Sequence, residues 1–497
     1  MKSKLIYKNI ICSVLLQLVT IISGFVIPKV ILSYFGSSVN GLISSINQFL
    51  NYIQLLEGGL SGVVMAALYK PLAENDSKKV SAIVKATQNF FHEIGCIYII
   101  YTIAVAFIYP LIVNTGFSYT YSVCLVLVLA LNLLIQYFFS LSYKLLLNAD
   151  KRVYFVSLTQ IIIVVMNMAA VVITAKFFHD ILIIKLASSL IFFVQPIMYG
   201  KYVNKNYKIE KDISPDKEAL SQRWDGFGIN IAYFIHANTD VIILTFLASL
   251  ADVSIYSVYA MIVNALKSLV LSVSQAILPS FGQSLATDSK KIVNRKFTEY
   301  EFGLSIVTVF LFGCGIVLLT PFVDVYTSNI HDANYHQVLF GVIIALAEMT
   351  YCLREPYISA TYSAGHFKQV SMYAYIEAGL NIFISLLLVK KMGIVGVAIG
   401  TLISMIYRMI CHIYYLKYNI LYRPIHKAVK SLLFSGLNIV IITFIGFKFL
   451  NLFCSSYVQW VVVALETVII AFIILFINSM IFYRKKARKF ILSLKKH

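Results

Sequence analysis

SYVQWVVVALETVIIAFIILFINSMIFY, residues 456–483, carries one charge, Glu466, and runs straight into Arg484-Lys485-Lys486-Ala487-Arg488-Lys489. A helix rises 1.5 Å per residue, so about 20 apolar residues cross the hydrocarbon of a bilayer. A charge-poor run with Lys and Arg at one end reads as a spanning helix whose basic end faces the cytoplasm. Thirteen more runs of this kind precede it: 9–34, 40–68, 88–113, 118–148, 154–177, 180–203, 224–249, 252–280, 300–323, 336–363, 369–390, 393–418 and 428–450. They are too long and too uniformly apolar for barrel strands, which alternate every second residue. Met1-Lys2-Ser3-Lys4 before the first run resembles a signal peptide, but the run is too long and lacks a small-x-small cleavage site, so a retained first span is expected.

Composition agrees. The chain has 497 residues, 60% hydrophobic and 13% charged, with a mean hydropathy of +0.83. Charge that sparse cannot cover a soluble enzyme of this size, and hydrophobicity this high excludes a disordered chain. Seven Cys, an odd number without CxxC or zinc spacing, exclude a disulfide scaffold. The expected fold is an all-α polytopic membrane protein of about fourteen transmembrane helices.

Lys and Arg set the orientation. With both termini on one side, 31 of the 41 Lys and Arg fall on that side and 4 on the other, the rest lying inside spans. Both termini are therefore expected in the cytoplasm. The net charge of +19 reads as this topology signal plus attraction to anionic membrane lipid, and the basic tail as a juxtamembrane flank rather than a nucleic-acid arm. Outside loops such as 37–39 and 114–117 are too short for a folded domain, and inside loops 69–87, 204–223 and 281–299 are too small to bind a nucleotide. With neither a G-x-x-x-x-G-K-[ST] loop nor H-E-x-x-H, the expectation is a non-enzyme without a cofactor or metal.

The chain also echoes itself. The loop after the second run carries Asp76-Ser77-Lys78-Lys79, and the loop after the eighth carries Asp288-Ser289-Lys290-Lys291, 212 residues on. Turns at 148–152 and 363–368 repeat at an offset of 215. This predicts two parallel six-helix lobes, 1–213 and 214–420, around a central cavity, with helices 13–14 and the basic tail at 421–497. Parallel repeats are a transporter arrangement.

Three stretches point to a family. GLISSINQFLNYIQLLEGGLSGVVMAALYKPLAENDSKKVSAI (41–83), NIAYFIHANTDVIILTFLASLADVSIYSVYAMI (230–262) and MGIVGVAIGTLISMIYR (392–408) resemble polysaccharide flippases. These form the polysaccharide transporter branch of the multidrug/oligosaccharidyl-lipid/polysaccharide exporter superfamily. The resemblance implies a flippase that moves undecaprenyl-pyrophosphate-linked oligosaccharides to the outer leaflet by alternating access. It also implies a lipid-linked substrate, H⁺ or Na⁺ coupling, and a polysaccharide polymerase downstream. The same-fold rival is a cation-coupled multidrug exporter, whose cavity would be acidic. A rival of another class, a membrane glycosyltransferase or polymerase, would want longer outside loops. A lipid II flippase usually carries extra cations in its first span, where this chain has only Lys29.

A charge in the bilayer core costs a few kcal/mol unless it is paired or wet, so each one marks a candidate site. Lys29, Lys144 and Lys185 lie near span ends and are expected to snorkel. Lys267 lies near mid-membrane and is the first candidate for meeting pyrophosphate, with Glu57, 210 residues earlier, as its partner when the site is empty. Arg354, Glu355, Glu377 and Arg408 lie at one depth, which suggests mutual pairing, with the planar fork of Arg354 as an alternative phosphate grip. His236 and Asp240 share a helix face, as do Glu348 and Glu355; these four are the coupling-ion candidates. Tyr259 and Tyr357 are candidates for stacking on sugars.

Overall fold

In lipid a backbone N–H has no water to bond, so apolar runs of this length must satisfy their hydrogen bonds internally as helices. The computed structural model describes residues 2–57, 60–210, 212–216, 218–220 and 238–483, and all regular structure among them is helical. His236 and the basic tail lie outside the described residues. In chain order the helices are α1 (Lys2–Asn51), a 3₁₀ turn (Tyr52–Glu57), α2 (Leu60–Glu74), α3 (Ser77–Ile112), α4 (Tyr119–Phe139), α5 (Leu141–Ala149), α6 (Val153–Phe178), α7 (Ile181–Ile191) and α8 (Val194–Asn206). Then follow α9 (Asn238–Leu247), α10 (Leu250–Thr287), α11 (Lys290–Tyr326), α12 (Val338–Ser363), α13 (Phe367–Asn419), α14 (Ile425–Phe449) and α15 (Tyr457–Phe482).

Ten of these segments are long and apolar enough to cross a membrane by length and composition. Two of the ten each contain two expected spans. α1 turns at Gly36 (φ 80°, ψ −179°) and α13 at Gly393 (φ 54°, ψ −132°), conformations that glycine adopts without a Cβ clash. α12 is the expected tenth span, made less apolar by Glu348, Arg354 and Glu355, and α9 is the described end of the seventh. With α4–α5 and α7–α8 each counted once, the expected fourteen spans are accounted for.

The chain divides into two units, 1–254 and 255–497. The boundary falls one helix later than the expected 213/214. The reason is polar and aromatic docking of α9 and the start of α10 onto α1 within the first unit. Asn40 donates to Ser254 Oγ at 2.8 Å, Thr245 to Ser45 Oγ at 2.7 Å, and Phe49 meets Phe246 edge-on at 5.7 Å. In the second unit α11 is central and packs on α12, α14 and α15. Helices α14 and α15 are thus built into this unit: Trp460 Nε1 donates to Leu318 O at 3.2 Å and Asn478 to Asn438 Oδ1 at 2.9 Å.

Polarity runs inside out, as lipid requires. Ile100, Leu111, Leu433 and Phe472 are exposed, whereas Arg354 is among the largest fully buried side chains. Lys185 departs from expectation. It does not snorkel but is 8% exposed on α7, because the helix turns this position toward the unit's interior rather than along its surface.

Candidate functional site

The polar residues of the second unit gather along α12. Glu348, Tyr351 and Glu355 follow one helical face at spacings of three and four, and Arg354 lies beside them. At the half-buried rim, Lys267 of α10 pairs with Glu348 at 2.9 Å, and its Nζ sits 4.9 Å above the Tyr351 ring. The Arg354 guanidinium packs 4.5 Å from the same ring, so one aromatic ring serves two cations. Below lies a buried triad. Glu377, on the first half of α13, accepts from Arg354 through one oxygen and from Arg408, on the second half, through the other at 2.5 Å. The turn at Gly393 folds α13 back so that Glu377 and Arg408 meet. Arg408 also donates to the Tyr362 hydroxyl at 3.2 Å.

Glu355 accepts from Ser359 at 2.7 Å and from Ser274 at 3.4 Å, and Ser274 shares a 2.5 Å bond with the Tyr300 hydroxyl. Lys267, Arg354 and Arg408 thus face Glu348, Glu355 and Glu377, and the formal charges balance. The donors do not. Arg354 Nε, Arg354 Nη2 and Arg408 Nε are buried without a hydrogen-bond partner among the described residues. A buried donor left unmet costs free energy.

Within its own unit Lys267, expected to pair with Glu57 when the site is empty, bonds Glu348, which the adjacent helix α12 brings to its depth. Glu57, in the first unit, accepts from the Tyr137 hydroxyl and lies in electrostatic reach of Lys144. Two interruptions meet there, the 3₁₀ turn ending at Glu57 and the break between α4 and α5 at Ser140. Asp240 is buried on α9 in the same unit, near Tyr52.

Tyr259 and Tyr357 do not offer a face to a sugar in this structure, being 0% and 2% exposed. The Tyr259 hydroxyl donates to Tyr335 O at 2.8 Å and accepts from Gln337 N at 3.0 Å, which ties the start of α12 to α10. Tyr357 donates to Glu301, a buried acid that sequence reasoning passed over. Arg423, between α13 and α14, holds Glu301 with both terminal nitrogens. The available signal was an acid at the start of an apolar run, in the span beginning at 300.

With this geometry in hand, comparison with known proteins bears on the fold. No family model matches the chain, and no curated protein matches it by sequence. Solved structures do. A lipid II flippase, MurJ, in an inward closed conformation superposes with a TM-score of 0.71 at 18% identity, covering 95% of this chain and 99% of the other. The multidrug MATE transporter DinF-BH gives 0.61 at 14% identity, covering 85% and 97%. An inward-facing multidrug resistance MATE transporter of the MOP superfamily gives 0.58 at 13%, covering 80% and 94%. The chain has the MurJ/MATE transporter fold. That fold is a multi-pass membrane one, and the shared architecture extends over nearly the whole chain.

Proposed function

We propose that the protein is a flippase for oligosaccharide repeat units linked to undecaprenyl pyrophosphate. It moves them from the cytoplasmic to the outer leaflet of a bacterial cytoplasmic membrane by alternating access, for surface polysaccharide synthesis. The observation that carries this reading is the cluster of Lys267, Arg354 and Arg408, with three guanidinium nitrogens unmet. A pyrophosphate is rich in acceptors and doubly charged, and planar guanidinium forks match it. Lys267 at the rim meets the phosphate first and exchanges Glu348 for it. Arg354 follows as Tyr351 yields, releasing its share of Glu377. Glu348, once freed of Lys267, and Glu355, held by serine hydroxyls, are the groups that take up a proton or Na⁺, so substrate and coupling ion compete for one set of charges. Asp240 is the corresponding coupling candidate in the first unit.

A cationic drug finds no such complement in this cluster, which makes the multidrug exporter the weaker reading. The test is deletion of the gene, followed by analysis of surface polysaccharide and of lipid-linked repeat units. The expected result is loss of one polymer with repeat units held on the cytoplasmic leaflet. Lys267→Ala and Arg354→Ala should reproduce the defect, and Lys267→Arg should largely retain transport. Intact polysaccharide with new sensitivity to cationic drugs would overturn the reading.

A further inference from the structure

A second cationic site lies in the second unit, away from the α12 cluster. A pocket of about 450 Å³ opens where the first turns of α11 meet the loop from α13 to α14. That volume is within the range of small-ligand sites, about 300–1,000 Å³. Lys291, Arg295, Arg423 and Lys427 line it, with Glu299 as the one carboxylate in the lining. Even with Glu299, and with Glu301 set against Arg423, two cations remain in excess.

Two orphaned polar atoms in the wall, one donor and one acceptor, point to a ligand that both accepts and donates hydrogen bonds. Arg423 is 6% exposed and rigidly held, with Glu301 on its two terminal nitrogens and the Phe297 ring 5.1 Å away, yet its Nε has no hydrogen-bond partner among the described residues. Asn294 is anchored by its amide nitrogen to Leu421 O at 2.9 Å and Lys290 O at 3.0 Å, and its Oδ1 is buried without a partner. Tyr422, between them in the wall, holds a left-handed φ of 51°, a strained conformation for a bulky residue, and Lys290 sits 4.3 Å over its ring. The helices entering the pocket add their dipoles. α11 begins at Lys290 and α14 at Ile425, and neither N-cap residue, Ser289 or Pro424, caps its helix with a side-chain hydrogen bond.

We infer that this pocket binds a phosphate oxyanion, supplied by the hydroxyl-bearing phosphodiester headgroup of an anionic membrane lipid such as phosphatidylglycerol. The cations and the Arg423 Nε take the phosphate, and Asn294 Oδ1 accepts from a headgroup hydroxyl. Basic pockets at the membrane face of helix bundles recognise lipid headgroups in this way. The site is distinct from the one that carries the transport reading and stands whether or not that reading holds.

The test uses the full chain purified in neutral detergent. Phosphatidylglycerol or phosphatidylcholine is titrated in, and binding is read by native mass spectrometry. Arg295→Gln/Lys427→Gln removes two exposed cations whose side chains hold no ion pair among the described residues. Lys78→Gln/Lys79→Gln removes two exposed lysines outside the pocket. The expected result is preference for phosphatidylglycerol, weakened about thirtyfold in the pocket variant, the cost of two basic side chains at a membrane surface, and unchanged in the other. Inorganic phosphate that fails to displace the lipid supports the headgroup. Phosphate that binds the wild type and displaces the lipid supports the oxyanion site with a soluble source instead. Equal binding of the two lipids, or equal weakening in both variants, would overturn the proposal.

Discussion

Removing Glu377 tests whether the α12–α13 cluster holds the second unit together. Arg354 is 0% exposed and Arg408 4%, and Glu377 bridges them with one oxygen each. Arg354 uses only Nη1 for a hydrogen bond, to Glu377; its Nε and Nη2 have no partner among the described residues. Glu377→Ala therefore leaves a guanidinium in the protein core with no hydrogen-bonded carboxylate, stacked on the Tyr351 ring and facing a second guanidinium. Breaking a buried ion pair by deleting one member costs about 3–5 kcal/mol. Glu377→Gln keeps one carbonyl acceptor and should cost less, about 1–3 kcal/mol for the donor left unmet. Replacing the triad with apolar residues, Arg354→Met/Glu377→Leu/Arg408→Met, removes charges and desolvation together and should return stability to about the wild-type level or above it. The assay is unfolding in mixed micelles of neutral detergent and SDS, followed by Trp460 fluorescence with Trp224→Phe in the background. A loss below about 1 kcal/mol for Glu377→Ala would refute the electrostatic argument. Transport retained by the apolar triple variant would refute the role of the cluster in substrate binding.

Other expectations follow from particular contacts. Glu301→Ala and Arg423→Ala should each destabilise the second unit by about 3–5 kcal/mol, whereas Glu301→Leu/Arg423→Met should fall well short of the sum, a coupling that a double-mutant cycle in the same micelles measures. At Gly446 an added Cβ would lie 2.5 Å from Val317 Cγ2, so Gly446→Ala should cost about 1–3 kcal/mol by overpacking. Gly436, with nothing within 4 Å, should gain about 0.5–1 kcal/mol on the change to Ala in the same unfolding assay. Asp288, outside the membrane, is held below its ordinary 3.8 by the Ser284 hydroxyl and by Lys296 at 2.9 Å. A depressed carboxylate adds stability above its unfolded pKa and loses it as pH falls through the lower, folded value. The stability difference between wild type and Asp288→Asn should therefore be constant near neutrality and shrink only below about pH 4; a difference that shrinks between pH 8 and 5 would contradict it.

Most of the architecture was legible in one dimension. Lipid offers a backbone no hydrogen bonds, so apolar length alone dictates helices, and the fourteen expected spans reappear with two pairs fused across Gly36 and Gly393. The cluster of Arg354, Glu377 and Arg408 was legible as a shared depth, because 1.5 Å per residue converts sequence position into depth. Glu301 was less visible, because its partner Arg423 sits in a loop and 122 residues separate them.

The sequence by itself determined the solvent, the element type, the number of spans and a set of charges too costly to be idle. Each follows from local composition and a fixed rise per residue. Tertiary structure decided who meets whom. It gave Lys267 to Glu348, folded α13 so that one carboxylate serves two arginines, closed both faces of Tyr259, and docked α9 within the first unit. Pairing depends on the rotation of each helix about its axis and on which helix lies beside it. Both are set by close packing among residues hundreds of positions apart, and no local pattern encodes them.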